Sequence, residues 1–248
     1  MITLRRASER HHERIPTRRR RSESWLSFAP ELGAAPSADG FGALRRFTEC
    51  RLPPGGSLEQ PPQVATEVLT YVVEGSLAFE DSTGSSGVLH AGEFQQRTGG
   101  RSVRHRETNA SRSDEVHFFQ IWLQLQQSWR EPGQQQNRFS VADRRKGLRI
   151  ISSPDNRSGS LRLHLDALAY SALMEPGLHV VHELLPGRSA WLHVVHGELT
   201  FGDLVLVTGD GIGVVAEPSV SITAREETEV LLVDLGGDAA GPSQEEAA

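Results

Sequence analysis

Two nonapeptides constrain what this chain can fold into: Tyr71-Val-Val-Glu-Gly-Ser-Leu-Ala-Phe79 and His193-Val-Val-His-Gly-Glu-Leu-Thr-Phe201. Each is an apolar strand, a polar-Gly corner and a second strand ending in Phe. Each is followed by another glycine corner, His90-Ala-Gly-Glu93 in one case and Val207-Thr-Gly-Asp210 in the other. The paired glycines are seventeen residues apart in the first copy and twelve in the second, so loops changed while strands were kept. A strand–corner–strand unit present twice predicts two copies of one β-rich body. Leu44–Leu52, Val64–Val73 and Val116–Leu125 supply strands to the first copy. Leu161–Leu165, Val180–Leu185, Ala190–Val195, Glu198–Leu206, Val220–Thr223 and Glu229–Leu235 supply the second. Short strands at regular intervals avoid sticky edges by closing on themselves, which points to an all-β fold of two jelly-roll barrels in tandem.

The 24 glycines and 13 prolines favour turns over long helices, and 248 residues suffice for two domains with substantial cores. The single cysteine, Cys50, excludes an internal disulfide and any Cys-rich metal site, which fits a cytoplasmic protein. Met1–Glu23 is Arg-rich without an apolar segment, so no secretory signal is expected, and no apolar run reaches the eighteen residues of a membrane span. The net charge of −6 hides an asymmetry. Residues 1–21 hold eight arginines against Glu9 and Glu13, giving +6, and the rest therefore carries −12. Arg18-Arg19-Arg20-Arg21 could touch nucleic acid, but on so acidic a body a solvated arm is the better reading and nucleic acid is not the expected partner.

The expected organisation is a basic arm over 1–24, a first barrel over 25–125, a Gln-rich linker over 126–147, a second barrel over 148–236 and an acidic tail over 237–248. Trp25 and Phe28 should dock the arm, and Trp122 and Trp191 should lie in the core.

The stretch from Gly55 to Asn109 carries the chemistry. Gly55 stands six residues before Pro61, Glu67 four after Gln63, and the apolar strand Val68–Val73 runs to Gly75; His105 then stands four residues before Asn109. This frame resembles the metal-binding motif of the cupins. The opening Met-Ile-Thr-Leu-Arg, Phe41-Gly-Ala-Leu-Arg45, Glu67–Gly75, Asp81-Ser-Thr-Gly84, Val103–Glu107, Asn109-Ala-Ser111, Phe118–Leu123, Leu148–Asp155 and Gly209-Asp-Gly211 extend the likeness over most of the chain. Together they resemble the pirin family, which are bicupins.

The resemblance implies an N-terminal barrel that holds one iron through three histidines and a glutamate, with quercetin 2,3-dioxygenase activity in some members and a link to transcriptional regulation in a nuclear one. Residue by residue, the family's His-Pro-His slot falls on Pro61, Pro62 and Gln63, its third histidine on His105 and its glutamate on Glu107. Two of four ligands are replaced, as in bacterial members that have lost the site. His105 and Glu107, two apart on a strand, point to one face. Proline has no side-chain donor, and the neutral amide oxygen of Gln63 suits calcium or magnesium better than iron. No cofactor is therefore expected, iron or another divalent ion entering only if Glu59, Glu67 or His90 compensates.

The resulting reading is a non-enzymatic module that senses a small molecule or binds a protein, using a pocket of Gln63, His105, Glu107 and Glu67, with no catalytic residue assigned. The alternative is a quercetin 2,3-dioxygenase-type oxygenase whose metal is held by His105, Glu107 and one of Gln63, Glu59 or Glu67. His164, His179, His182, His193 and His196 have no cupin-like carboxylate spacing and read as scattered imidazoles. His11 and His12 read as arm residues. Cys50, beside Arg51, reads as a small core residue rather than a reactive thiol. Arg104 reads as a surface charge.

Overall fold

The computed structural model describes residues 1–16, 21–28, 40–60, 65–99, 103–125 and 133–237. In chain order its strands begin with β1 (Ile2–Arg5), β2 (His11–Pro16), β3 (Arg21–Phe28), β4 (Leu44–Leu52), β5 (Ser57–Gln60) and β6 (Thr66–Glu74). Then come β7 (Ser76–Asp81), β8 (Ser86–His90), β9 (Glu93–Thr98), β10 (His105–Asn109), β11 (Val116–Gln124) and β12 (Gly133–Arg138), followed by one helical turn, α1 (Val141–Arg144). The second half contains β13 (Arg149–Ser153), β14 (Leu161–Arg162), β15 (Ala167–Met174), β16 (His179–Glu183) and β17 (Ser189–His196). It ends with β18 (Glu198–Phe201), β19 (Leu204–Val207), β20 (Gly211–Val215), β21 (Ser219–Ala224) and β22 (Thr228–Leu235).

Each half pairs a seven-stranded sheet with a four-stranded one. The orders are β12-β9-β6-β11-β4-β3-β2 with β5-β10-β7-β8, and β1-β20-β17-β22-β15-β13-β14 with β16-β21-β18-β19. The two halves match in strand order except at one edge, where β14 runs parallel to β13 and β2 antiparallel to β3, and the repeated nonapeptides fall on β6–β7 and β17–β18. Their corners need glycine: Gly75 and Gly197 have φ of +79° and +91°, and a Cβ would lie 2.6 Å from the Glu115 carbonyl oxygen and 2.3 Å from that of Glu227. Among the described residues no ladder joins a large sheet to its small partner, so each half is a two-sheet sandwich and not a continuously bonded barrel.

Alternation along the strands sorts the apolar residues into three cores. One fills the first sandwich, with Cys50, Leu52, Val72, Leu77, Phe79, Leu89, Val116 and Phe118. A second, including Leu192, Ile212, Val220, Ile222 and Leu232, fills the other. The third lies between the two large sheets and joins Phe47, Phe94, Phe119 and Ile121 to Ile151, Trp191, Leu231 and Val233. At about 1.5–3 kcal/mol for each large side chain removed from water, this shared core fixes the halves against each other.

Two expected boundaries are corrected. The first 24 residues are not a free arm: β1 runs along β20 with Ile2 opposite Val214, and β2 pairs with β3. Arg6 then binds Asp210 while Arg10 binds Glu49, so this short stretch ties the second sheet to the first. The Gln-rich stretch is not simply a linker either. β12 pairs with β9, Gln135 opposite Gln96, because a polar strand suits an exposed edge. Thus each large sheet is completed by a strand from outside its own repeat. Arg18, Arg19, Arg20, Pro61, Pro62, Gln63 and residues 238–248 lie outside the described residues. Among those described, no helix is long and apolar enough to cross a membrane.

Candidate functional site

The strand registers place a polar layer inside the first sandwich. Gln120 on β11 stands opposite Thr48 on β4 and Thr70 on β6, and Thr70 stands opposite Gln95 on β9. One step toward the sheet end, Trp122 faces Arg46 and Val68, and Val68 faces Arg97. The small sheet supplies the other wall: His105 lies between Gln60 and Asp81, and Glu107 between Leu58 and Phe79.

His105 and Glu107 are both buried and share a face of β10, as their spacing predicts. They are not partners of each other. Glu107, 1% exposed, accepts hydrogen bonds from Gln120 Nε2 at 2.6 Å, Gln60 Nε2 at 3.4 Å and Arg97 Nη1 at 3.5 Å. Gln60 also donates to Gln120 Oε1 at 2.9 Å, which locks the two amides around the carboxylate. Burial, with Arg97 nearby acting in the same sense and Asp81 opposing, lowers the His105 pKa to about 4, so its imidazole is neutral at pH 7. Nε2 of His105, Nε and Nη2 of Arg97, Nε2 of Gln95 and Oγ1 of Thr48 are buried without a protein partner.

Arg97, Gln60, Gln120 and Gln95 are the site residues that sequence reasoning missed. The signal was present in the alternation. A strand reading Glu-Phe-Gln-Gln-Arg-Thr, after the Gly92 corner, has polar residues on both faces in a segment that must pack on both sides.

Glu67 is corrected out of the pocket. Fully buried, it lies on the opposite face of β6, accepts from Gln96 Nε2 at 2.9 Å and Thr98 Oγ1 at 3.1 Å, and pairs with the ring and backbone N–H of His164 in the other half. An odd-numbered offset from the lumen-facing Val68 put it there. Glu59 is exposed, and His90 is exposed and bonded to Ser76. Neither approaches the pocket wall as a donor.

The described residues alone supply too few donors for the dioxygenase metal site that the resemblance implies. Such a site needs three or more protein donors, and among the described residues this pocket presents His105 and Glu107, with the carboxylate already bonded by two amides and facing a guanidinium. A divalent cation on Glu107 would meet the positive charge of Arg97 in a low-dielectric interior. Among the described residues no group of three His, Cys, Asp or Glu side chains converges.

The other expectations separate. Cys50 is buried in the first core and burial raises its thiol pKa to about 12, as befits an inert core residue. Trp191 is core, and Trp25 stacks on His12. The second-half histidines go to different places: His164 to Glu67, His179 to Thr223, His182 to Asp234, and His193 to the shared core between Phe47 and Phe119.

Comparison with known proteins agrees with the architecture. Residues 14–123 match the family model described as Pirin, and residues 150–235 match that of the quercetinase C-terminal cupin domain. The chain is 34% identical over 235 residues to the quercetin 2,3-dioxygenase of Escherichia coli (strain K12), covering 95% of this chain and 99% of that protein. It is 28% identical over 200 residues to a pirin-like protein of Caulobacter vibrioides, covering 80% and 86%. The crystal structure of the bacterial pirin YhhW from Escherichia coli in complex with nickel(II) superposes with a TM-score of 0.84 at 33% identity, covering 95% of this chain and 99% of that one. With both halves matched in order and 95% of the chain covered, the chain belongs to the pirin family.

Proposed function

We propose that the first sandwich is a metal-independent receptor for a small, oxygen-rich organic molecule and acts as a sensing or interaction module without catalysing a reaction. The observation that carries this reading is Arg97. Its guanidinium stands beside the one carboxylate left from the family's ligand set, where it balances the charge that a metal would otherwise balance. The free valences of the layer are mostly donors, from Arg97 and Gln95, so a carboxylate, enolate or carbonyl oxygen is what they would accept.

The alternative is a metal-dependent oxygenase of quercetin 2,3-dioxygenase type, favoured by the retention of His105 and Glu107 and by the name of the Escherichia coli relative. Glu59 and Glu67 point elsewhere, so Gln63 is the third donor it would need.

Elemental analysis of protein expressed in iron-replete medium, paired with oxygen uptake in the presence of quercetin, separates the two. The receptor reading expects far less than one metal per chain and no quercetin-dependent uptake. One iron per chain, lost in His105→Ala together with flavonol consumption, would establish the oxygenase instead.

A further inference from the structure

The second sandwich has a site of its own at the place related by the internal repeat to the pocket of the first. The registers identify it. Tyr170 stands opposite Leu232 as Thr48 stands opposite Gln120, and Asp234 stands opposite Ala190 as Trp122 stands opposite Val68. His182 stands opposite Val220 as Gln60 stands opposite His105. Tyr170, Asp234 and His182 line one cavity of about 200 Å³, with Leu168, Leu185 and Arg188 among its other walls.

The polar groups there are ordered in a definite way. Asp234 accepts from Arg188 Nε at 2.6 Å through one oxygen and bonds His182 Nε2 at 2.8 Å through the other. With one oxygen taken by Arg188, Asp234 uses the other to accept from His182, which places the ring hydrogen on Nε2. Nδ1 keeps its lone pair and has no partner among the described residues. Arg188 is spent, since it also donates to Asp166 at 2.8 Å. The cavity therefore offers a proton acceptor backed by a carboxylate, with Arg188 committed and the other guanidinium of its wall, Arg157, donating to Asp155 at 3.0 Å. The Tyr170 ring packs at 4.8 Å from His182, and Leu168 and Leu185 supply apolar wall. A dry apolar cavity of about 150 Å³ is enough to take benzene.

From this juxtaposition we propose that the His182–Asp234 pair of the second sandwich binds a single-ring hydroxyarene, its hydroxyl donating to Nδ1 of His182 and its ring lying against Tyr170, Leu168 and Leu185. Such a ligand matches the site in three ways. It brings the acidic O–H that the acceptor needs, it carries no charge to desolvate, and it fills the volume. Asp234 acts as a positioning residue that fixes the tautomer. The inference is independent of the receptor reading of the first sandwich, because no residue is shared.

The test uses p-nitrophenol, whose absorption moves to longer wavelength when its hydroxyl is strongly engaged, titrated into the full chain. Saturable one-to-one binding with that shift is expected. His182→Leu should weaken it by about tenfold or more, the cost of one good hydrogen bond. Asp234→Asn should diminish the shift more than the affinity, because the tautomer is no longer imposed. Leu185 is 69% exposed on the rim, so Leu185→Trp can block the mouth without disturbing the core and should also abolish binding. Val88→Ala, at an exposed position of the first half, should leave it unchanged. If His182→Leu misfolds by thermal melting, Leu185→Trp decides. Failure of the intact chain to bind, or binding untouched by Leu185→Trp, overturns the proposal.

Discussion

The two sandwiches share one topology and differ in what fills them. The first has a layer of Thr48, Thr70, Gln95 and Gln120, capped by Arg97, His105 and Glu107. The matching positions of the second are Tyr170, Leu192, Ile212 and Leu232, capped by Val214, Val220 and Ile222. Apart from the parallel β13–β14 pair at one edge, the backbone ladders do not distinguish them, since a period of two serves polar and apolar residues alike. The same frame therefore encloses a polar layer on one side and an apolar core on the other. The second half keeps polar groups only at its mouth, where His182, Asp234 and Arg188 meet the cavity. A buried ion pair such as Arg97–Glu107 is poor insurance for stability, because desolvation offsets the attraction. The second half has its own pair, Arg188–Asp234, at the mouth of the sandwich and not within the layer.

The contrast can be broken from its most sensitive point downward. Restoring the family's imidazoles while removing the internal cation, as Pro61→His/Gln63→His/Arg97→Met, should raise nickel(II) affinity by at least about 10³-fold in isothermal titration. Even second-shell partners of a metal are each worth about 10–100-fold. A triple variant that binds no better than the parent would show that something other than Arg97 and the lost ligands keeps metal out.

Glu107→Gln alone leaves Arg97 buried and uncompensated and should cost about 3–5 kcal/mol in urea denaturation. Transplanting the residues of the second half, as Arg97→Val/Glu107→Ile, should recover nearly all of that. A double variant no more stable than Glu107→Gln would mean that the chamber cannot pack as its counterpart does.

Acid should act on two histidines. His105 is lowered to about 4 by burial and by Arg97, and burial among Phe47 and Phe119 holds His193 well below its ordinary value. Below about pH 6.5 the unfolded chain binds protons that these folded imidazoles refuse. Their contribution is therefore complete above 6.5 and, for His105, is lost as the pH falls toward 4. His105→Gln and His193→Leu should each flatten the decline in thermal midpoint across that window. His193→Leu should also add about 1 kcal/mol at neutral pH, since both ring nitrogens are buried without partners. The smallest effect is at Cys50. Its thiol should resist a thiol-specific reagent at pH 8 until the protein unfolds, and immediate labelling of native protein would contradict its place in the first core.

How much of this was legible depends on whether the information is local. The repeat was readable because a β-branched run, a glycine corner and a Phe-terminated strand leave a local signature, and both corners do require glycine. His105 and Glu107 were readable because i and i+2 on a strand share a face. Gln60, Gln95, Arg97 and Gln120 were not, because they come from three strands whose registers no local pattern fixes. Glu67 was misplaced for the same reason: its spacing fitted the pocket, but one residue of offset turned it toward His164. The arm beyond Arg5 and the linker were misread because polar composition looks alike in a solvated segment and in an edge strand. β2 and β12 become strands only when a neighbouring sheet edge is offered to them.

The sequence by itself determined the two β-rich halves, their glycine corners, and the residue types at positions 61 and 63, where the resemblance expects histidines, since these are matters of local conformation and residue chemistry. Only the tertiary structure decided that Arg97 stands beside Glu107 and that His182 meets Asp234 and Arg188 at a second mouth. Contacts between side chains on different strands exist only once strand order and register have been set by burial of the whole chain.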